Sequence, residues 1–172
     1  MVSQDLSQLR QRIDDVLADF TKVRSAALTE IGSELQPVAS AMTEFITDGG
    51  KRFRPIFAYL GYLGAGGAER EEILRACTAL ELVHVCALIH DDVMDGSDTR
   101  RGAPAIHREY EFKHRDRNLE GSSENFGLAS AILLGDHLHR QAHQRTHVGA
   151  RQSVKSEEHT SELQSHHDLV CR

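Results

Sequence analysis

The sequence predicts an all-α fold, a bundle of long helices, and three observations carry that expectation. Apolar residues recur at alternating steps of three and four along the first part of the chain. No segment between turn signals shows clear period-two alternation. Residues 70–94 form one long stretch that is apolar around most of its girth in the middle, as a buried helix is.

The elements follow in order. Across residues 4–33, Leu6, Leu9, Ile13, Val16, Phe20 and Val23 step by three and four, which predicts an amphipathic helix ended by Gly32 and Pro37. A second helix over about 37–47 puts Val38, Met42, Phe45 and Ile46 on one side, and Gly49-Gly50 stops it. A third over about 54–64 takes Pro55 in its first turn, where a missing N–H costs nothing. Gly64–Gly67 makes a loop. In the central stretch Val83, Val85 and Ile89 would also allow a strand, but the length and the alanines and leucines favour helix. A loop holding Gly96, Gly102 and Pro104 comes next, then a short helix over 104–112 and a polar loop over 113–123. Ser122 or Ser123 caps a last helix that runs through Leu134. There is no internal repeat.

The chain has 172 residues and a formal net charge of −6, enough for one domain with a real core. An acidic balance argues against a nucleic-acid partner. Cys77, Cys86 and Cys171 give no disulfide framework. The polar start, MVSQDLSQLRQRIDD, lacks the apolar core of a signal peptide. No uninterrupted apolar run reaches the roughly 18 residues of a membrane span. The expectation is a cytoplasmic protein with no transmembrane segment.

Two charged clusters stand out. Asp91, Asp92, Asp95 and Asp98 follow directly on the apolar run Ala79–Ile89. The C-terminal end of a helix carries partial negative charge, so carboxylates there are destabilising by roughly 0.3–1 kcal/mol each, and the local sequence supplies no cation before Arg100. A divalent metal would compensate: Mg²⁺ is held by one or two carboxylates together with substrate phosphates. At about 100° per residue, Asp91 and Asp95 lie about 40° apart and His84 about 20° from Asp91, one stripe. A solvated acidic helix end paired with Arg100 and Arg101 would read the same way.

The second cluster is GGKRFRP, Gly49–Pro55. Lys51 and Arg54 are one turn apart if the helix has begun, at a helix N-terminus where free N–H groups favour anions. Arginine suits two-pronged contact with phosphate. A plain surface loop is the alternative. Arg100-Arg101-Gly102 is a second basic pair, fitted either to neutralise the aspartates or to hold phosphates that the metal also holds.

GGKRFRP, then ELVHVCALIHDDVMDGSDTRRGAPAIH, then AILLGD resemble the blocks of the trans-prenyl diphosphate synthases, the polyprenyl synthetase family, in that family's order and over about residues 5–136. The resemblance implies an all-α bundle of the isoprenoid synthase type around a deep apolar cavity, homodimeric at full length. It implies condensation of isopentenyl diphosphate with an allylic diphosphate, with release of pyrophosphate and Mg²⁺ as cofactor. Carried over, Asp91 and Asp95 resemble the Mg²⁺ ligands, and with Asp92 they form the catalytic carboxylates. Arg100 looks like the contact to the allylic diphosphate; Lys51, Arg54, His84 and Arg101 look like the isopentenyl diphosphate site. Gly135-Asp136 is read as structural. The residues just before the first aspartate that limit product length in the family are here Cys86 and Ala87, both small, which implies a product of geranylgeranyl length or longer.

The pattern stops at Asp136. All six phenylalanines and three tyrosines lie at or before Phe126, whereas seven of the eleven histidines lie at or after His137. Residues 137–172 hold no second DDxxD, and Asp168 is their only aspartate. Lys155–Arg172, KSEEHTSELQSHHDLVCR, resembles the translation of a sequencing-library adapter rather than a protein family. The sequence thus divides into 1–136, an N-terminal part of a synthase, and 137–172, an unrelated tail. The fold is then incomplete, its central helix exposes apolar surface, and the chain alone is expected to be inactive. Three alternatives are kept. A class I terpene cyclase shares the aspartate motif, but GGKRFRP speaks against it. A non-catalytic partner subunit of a synthase is opposed by the intact Asp91–Arg101 block. A histidine-rich metal protein would use His159, His166 and His167.

Overall fold

The computed structural model describes the backbone of residues 2–170 and the side chains of residues 6–146. Its order is α1 (Val2–Ile31), a short 3-10 turn (Ser33–Leu35), α2 (Gln36–Thr47), α3 (Phe53–Gly64), α4 (Glu71–Met94), β1 (Thr99–Arg100), β2 (Ala103–Pro104), α5 (Ile106–Asp116) and α6 (Ser123–Val170). The all-α expectation holds, with one two-stranded hairpin as the exception among the described residues.

Each helix is set by its apolar stripe. Leu9, Ile13, Leu17 and Phe20 turn the inner face of α1 into the core, and Met42 and Ile46 do so for α2. Pro37 falls in the first turn of α2, where it is tolerated. Pro55, Ile56 and Tyr59 bury one side of α3. α4 is the spine: Leu74, Ala79, Leu82, Val85 and Ile89 are buried, packed chiefly against α6 and α3. By length and composition it is the one described helix long and apolar enough to cross a membrane. Its buried Glu81 and Asp92, each paired with an arginine, make it a core helix instead.

α5 runs to Asp116, four residues past the expected end. Its last turn is not the surface loop that its polarity suggested. Lys113 pairs with Glu109 and Arg115 with Glu111, one turn back. His114 is buried with its ring centroid 5.0 Å from that of Phe126 on α6. Basic residues in this last turn also suit the negative end of the helix. The Ser122 hydroxyl accepts the Asn125 backbone N–H at 3.2 Å and caps α6, as expected, but α6 does not end near Leu134: it continues to Val170 and buries Leu138 and Ala142 in the core.

The TRRGAP segment, expected as loop, forms the hairpin. Thr99 pairs with Pro104 and Arg100 with Ala103. Arg101 and Gly102 turn the chain with φ of 52° and 84°, the two positive values of a type I′ turn. On the side of α4 and α6 away from the core, Leu80, Val83, Ile132 and Leu133 are 40–69% exposed, an open apolar face. The histidine-tail reading at His159, His166 and His167, and Cys171, lie outside the residues whose side chains are described.

Candidate functional site

The aspartates at the end of α4 divide by what they touch. Asp92 is 3% exposed and takes both prongs of Arg100: Nε donates to Oδ2 at 2.6 Å and Nη2 to Oδ1 at 2.7 Å. Asp98 accepts Nε of Arg108 at 2.6 Å, which ties the turn after α4 to α5. Asp91 and Asp95 are exposed, and neither carboxylate enters a hydrogen bond or salt bridge among the described residues. The hydrogen bonds that Arg100 donates to Asp92 hold its guanidinium more strongly protonated than usual; burial opposes this, and Asp91 and Asp95 add to it from nearby.

The basic residues gather from three segments. The Arg101 guanidinium donates to the carbonyl oxygens of Asp48 and Gly49, joining the hairpin to the loop after α2. Arg54 is exposed in the first turn of α3. Lys51 precedes the helix, and Arg52 between them is left-handed, so Lys51 and Arg54 do not stack along one helical turn as the spacing suggested. The Lys51 ammonium lies 5.9 Å from the Phe53 ring centroid instead. His84 is half-buried on α4. Burial lowers its pKa first, then the charge of Arg54; Glu81 opposes, and Arg101 and Arg100 lower it further. His84 therefore belongs electrostatically with the arginines, not with the aspartate stripe on which the helical angle placed it.

No group of three His, Cys, Asp or Glu among the described residues forms a ready metal cage. Asp91 and Asp95, four apart and unpaired, nevertheless fit Mg²⁺, which takes one or two carboxylates and completes its shell with phosphate and water.

The two small residues before Asp91 face different ways. Ala87 is exposed, beside the open apolar face. Cys86 is buried with its Sγ 3.8 Å from Nδ1 of His90; burial pushes its thiol pKa up, and Asp136 adds to that. His90 in turn meets the Ile132 carbonyl at 3.2 Å through Nε2. A Cβ on Gly135 would lie 2.2 Å from that nitrogen, so the Gly135-Asp136 pair allows α6 to close on α4. This supports its structural reading.

Three contributors escaped the sequence reading: Arg52, His90 and Arg108. A glutamate on the buried side of an apolar helix, Glu81, was the available sign that a cation must enter the core.

The fold with these paired acidic and basic clusters defines the class, an all-α protein of the isoprenyl diphosphate synthase type. The polyprenyl synthetase model matches residues 36–165, well over half of the chain, and the chain belongs to that family. The match runs past residue 136 into the histidine-rich stretch. Among its relatives, a geranylgeranyl diphosphate synthase of Methanosarcina mazei is 37% identical over 132 residues, covering 73% of this chain and 36% of that protein. An octaprenyl diphosphate synthase of Haemophilus influenzae is 30% identical over 146 residues, covering 84% and 39%. In structure, a geranylgeranyl pyrophosphate synthase of Corynebacterium glutamicum, solved with isoprenyl diphosphate and magnesium, superposes with a TM-score of 0.75 at 36% identity, over 84% of this chain and 42% of that one. The chain spans little more than a third of the length of the two curated relatives.

Proposed function

We propose that this chain carries the diphosphate-binding part of a trans-prenyltransferase that joins isopentenyl diphosphate to an allylic diphosphate and releases pyrophosphate. Asp91 and Asp95 would hold Mg²⁺, which when bound neutralises the charge gathering on the departing diphosphate. Arg100, fixed by Asp92, presents its remaining N–H groups to the same diphosphate. Lys51, Arg54, His84 and Arg101 take the diphosphate of the isopentenyl substrate. The apolar face beside Ala87 receives the growing hydrocarbon, and the small side chain of Ala87, with Cys86 next to it in sequence, permits a product of geranylgeranyl length or longer. With no second DDxxD in the sequence, the proposal assigns to residues 1–136 the binding of both diphosphates and not turnover by this chain alone. A homodimeric, cytoplasmic enzyme is part of the same reading.

The observation that carries the proposal is the division of the aspartates: two unpaired carboxylates beside an arginine that a third one fixes. Calorimetric titration tests it. Geranyl diphosphate should bind only with Mg²⁺, and Asp91→Ala or Asp95→Ala should abolish that binding. Isopentenyl diphosphate should bind without the metal and survive both substitutions. Binding of the allylic diphosphate that ignores Mg²⁺ and both substitutions defeats the proposal.

A further inference from the structure

Arg52 sits in the middle of GGKRFRP but turns away from the site. It is 6% exposed, and its φ of 52° is the left-handed conformation that side chains rarely adopt. Every guanidinium nitrogen is used. Nε donates to Asp14 of α1 at 2.8 Å, Nη1 to Glu81 of α4 at 3.0 Å, and Nη2 to the Ile46 carbonyl near the end of α2 at 2.9 Å. Its side chain therefore joins three helices, and its backbone stands at the N-cap of a fourth, α3. Gly50 closes over the pair: a Cβ there would stand 3.2 Å from both Nη1 of Arg52 and Oε1 of Glu81.

Two geometric consequences follow. Glu81 lies one turn before His84 on α4, so the Arg52–Glu81 bond fixes the segment bearing Lys51 and Arg54 relative to His84. Arg101 holds the start of the same loop through the carbonyls of Asp48 and Gly49. The loop is thus pinned by two arginines, Arg52 within it and Arg101 from the hairpin.

We infer that Arg52 is a positioning residue: it preorganises Lys51, Arg54 and His84 as one diphosphate pocket before ligand arrives. The inference rests on the proposed function, since it assumes that these three residues bind a diphosphate. Stability alone does not require this arrangement. A buried ion pair is commonly replaceable by apolar side chains without loss of stability, whereas three directed bonds and a strained φ specify one geometry.

The test compares the parent chain with Arg52→Lys and with the double variant Arg52→Met/Glu81→Met, which removes both buried charges together. Three quantities are read: the melting midpoint, the dissociation constant for isopentenyl diphosphate, and amide hydrogen exchange at Gly49–Lys51 without ligand. The double variant, in which Asp14 and the Ile46 carbonyl lose their donor, should melt somewhat below the parent, bind at least tenfold more weakly and exchange faster at those amides. Arg52→Lys, which keeps the charge on a single-pronged donor, should recover part of the affinity. A double variant that binds and exchanges like the parent overturns this inference and leaves the site reading intact. A parent that binds no isopentenyl diphosphate overturns the site reading and the inference with it. Should the double variant fail to fold, Arg52→Lys decides: unchanged affinity and exchange overturn the inference, and weaker binding with faster exchange supports it.

Discussion

Neutralising Asp91 or Asp95 should do the opposite to stability of neutralising Asp92, although the three share one motif. Asp91 and Asp95 lie at the C-terminal end of α4, exposed and without a side-chain partner among the described residues. Carboxylates at that end oppose the helix dipole, so Asn at either position should stabilise the fold by about 0.3–1 kcal/mol. Asp92 is 3% exposed and uses both oxygens on Arg100, at 2.6 and 2.7 Å. Hydrogen bonds to charged groups contribute about 1.5–3 kcal/mol. The Arg100 side chain is 26% exposed and recovers some water when released, so Asp92→Asn should cost about 2 kcal/mol. In a domain of this size that is a fall in melting temperature of roughly 4–8 °C. The ligand response should invert the ranking. Mg²⁺ with inorganic pyrophosphate at ten times its dissociation constant should stabilise the parent by about 1.4 kcal/mol. Asp91→Asn and Asp95→Asn should lose that gain, and Asp92→Asn should keep part of it. Scanning calorimetry of the four proteins, with and without ligand, reads both quantities. Equal destabilisation by all three substitutions, or a ligand gain that survives in Asp91→Asn and Asp95→Asn, would refute the division of labour.

Further outcomes concern His84 and the two small residues before Asp91. His84 titrates below its ordinary 6.5 because it is half-buried and faces Arg54, Arg101 and Arg100, with Glu81 the opposing charge. Between that lowered midpoint and 6.5 the unfolded chain binds more protons than the folded one, so stability rises with pH across the window and is lost as pH falls through it. A bound diphosphate reverses the local field and raises His84, so binding near pH 6 should take up protons; calorimetry in two buffers of different ionisation heat should show more uptake in the parent than in His84→Gln, and equal uptake would refute it. In a turnover-competent enzyme bearing this segment, Ala87→Phe should shorten the product with little change in stability, because Ala87 is exposed. Cys86→Phe should instead cost about 1–3 kcal/mol by overpacking the contact with His90, and product chromatography with thermal melts separates the two positions.

Helix positions were legible in the sequence because one rule governs them: steps of three and four put Leu9, Ile13 and Phe20 on a single face, and the core forms there. The breaks came where a contact distant in sequence overrode the local pattern. Residues 113–116 read as loop because they are polar, yet α5 continues through them on its Glu109–Lys113 and Glu111–Arg115 pairs and on the burial of His114. The hairpin was too short for alternation to show, with two residues in each strand. In the site, the sequence grouped Asp92 with Asp91 and Asp95 and left Arg100 either as their counter-ion or as a phosphate contact; only the fold shows that Arg100 returns across a turn to take Asp92 alone, eight residues earlier. The same angle put His84 on the aspartate stripe; the charges that act on it come from α3 and the hairpin, which no periodicity within α4 reports.

The hairpin resolves a problem that the charge pattern poses. Arg100 and Arg101 are adjacent, yet one must serve the acidic end of α4 and the other the basic loop after α2. A continuous helix would place them about 100° apart on one surface, and a flexible loop would let both collapse onto the aspartates. A strand end followed by a left-handed residue sends them apart: Arg100 to the Asp92 carboxylate, and Arg101 to the carbonyls of Asp48 and Gly49. Because Arg101 is anchored chiefly by neutral carbonyl oxygens, it brings to the His84 side a positive charge offset only by a loose ion pair with the largely exposed Asp48, at 3.9 Å. Asp91 and Asp95 form no ion pair among the described residues, since the cation beside them is already committed to Asp92. Two patches of opposite sign therefore persist side by side, which is the electrostatic condition for holding a metal on one and a second anion on the other.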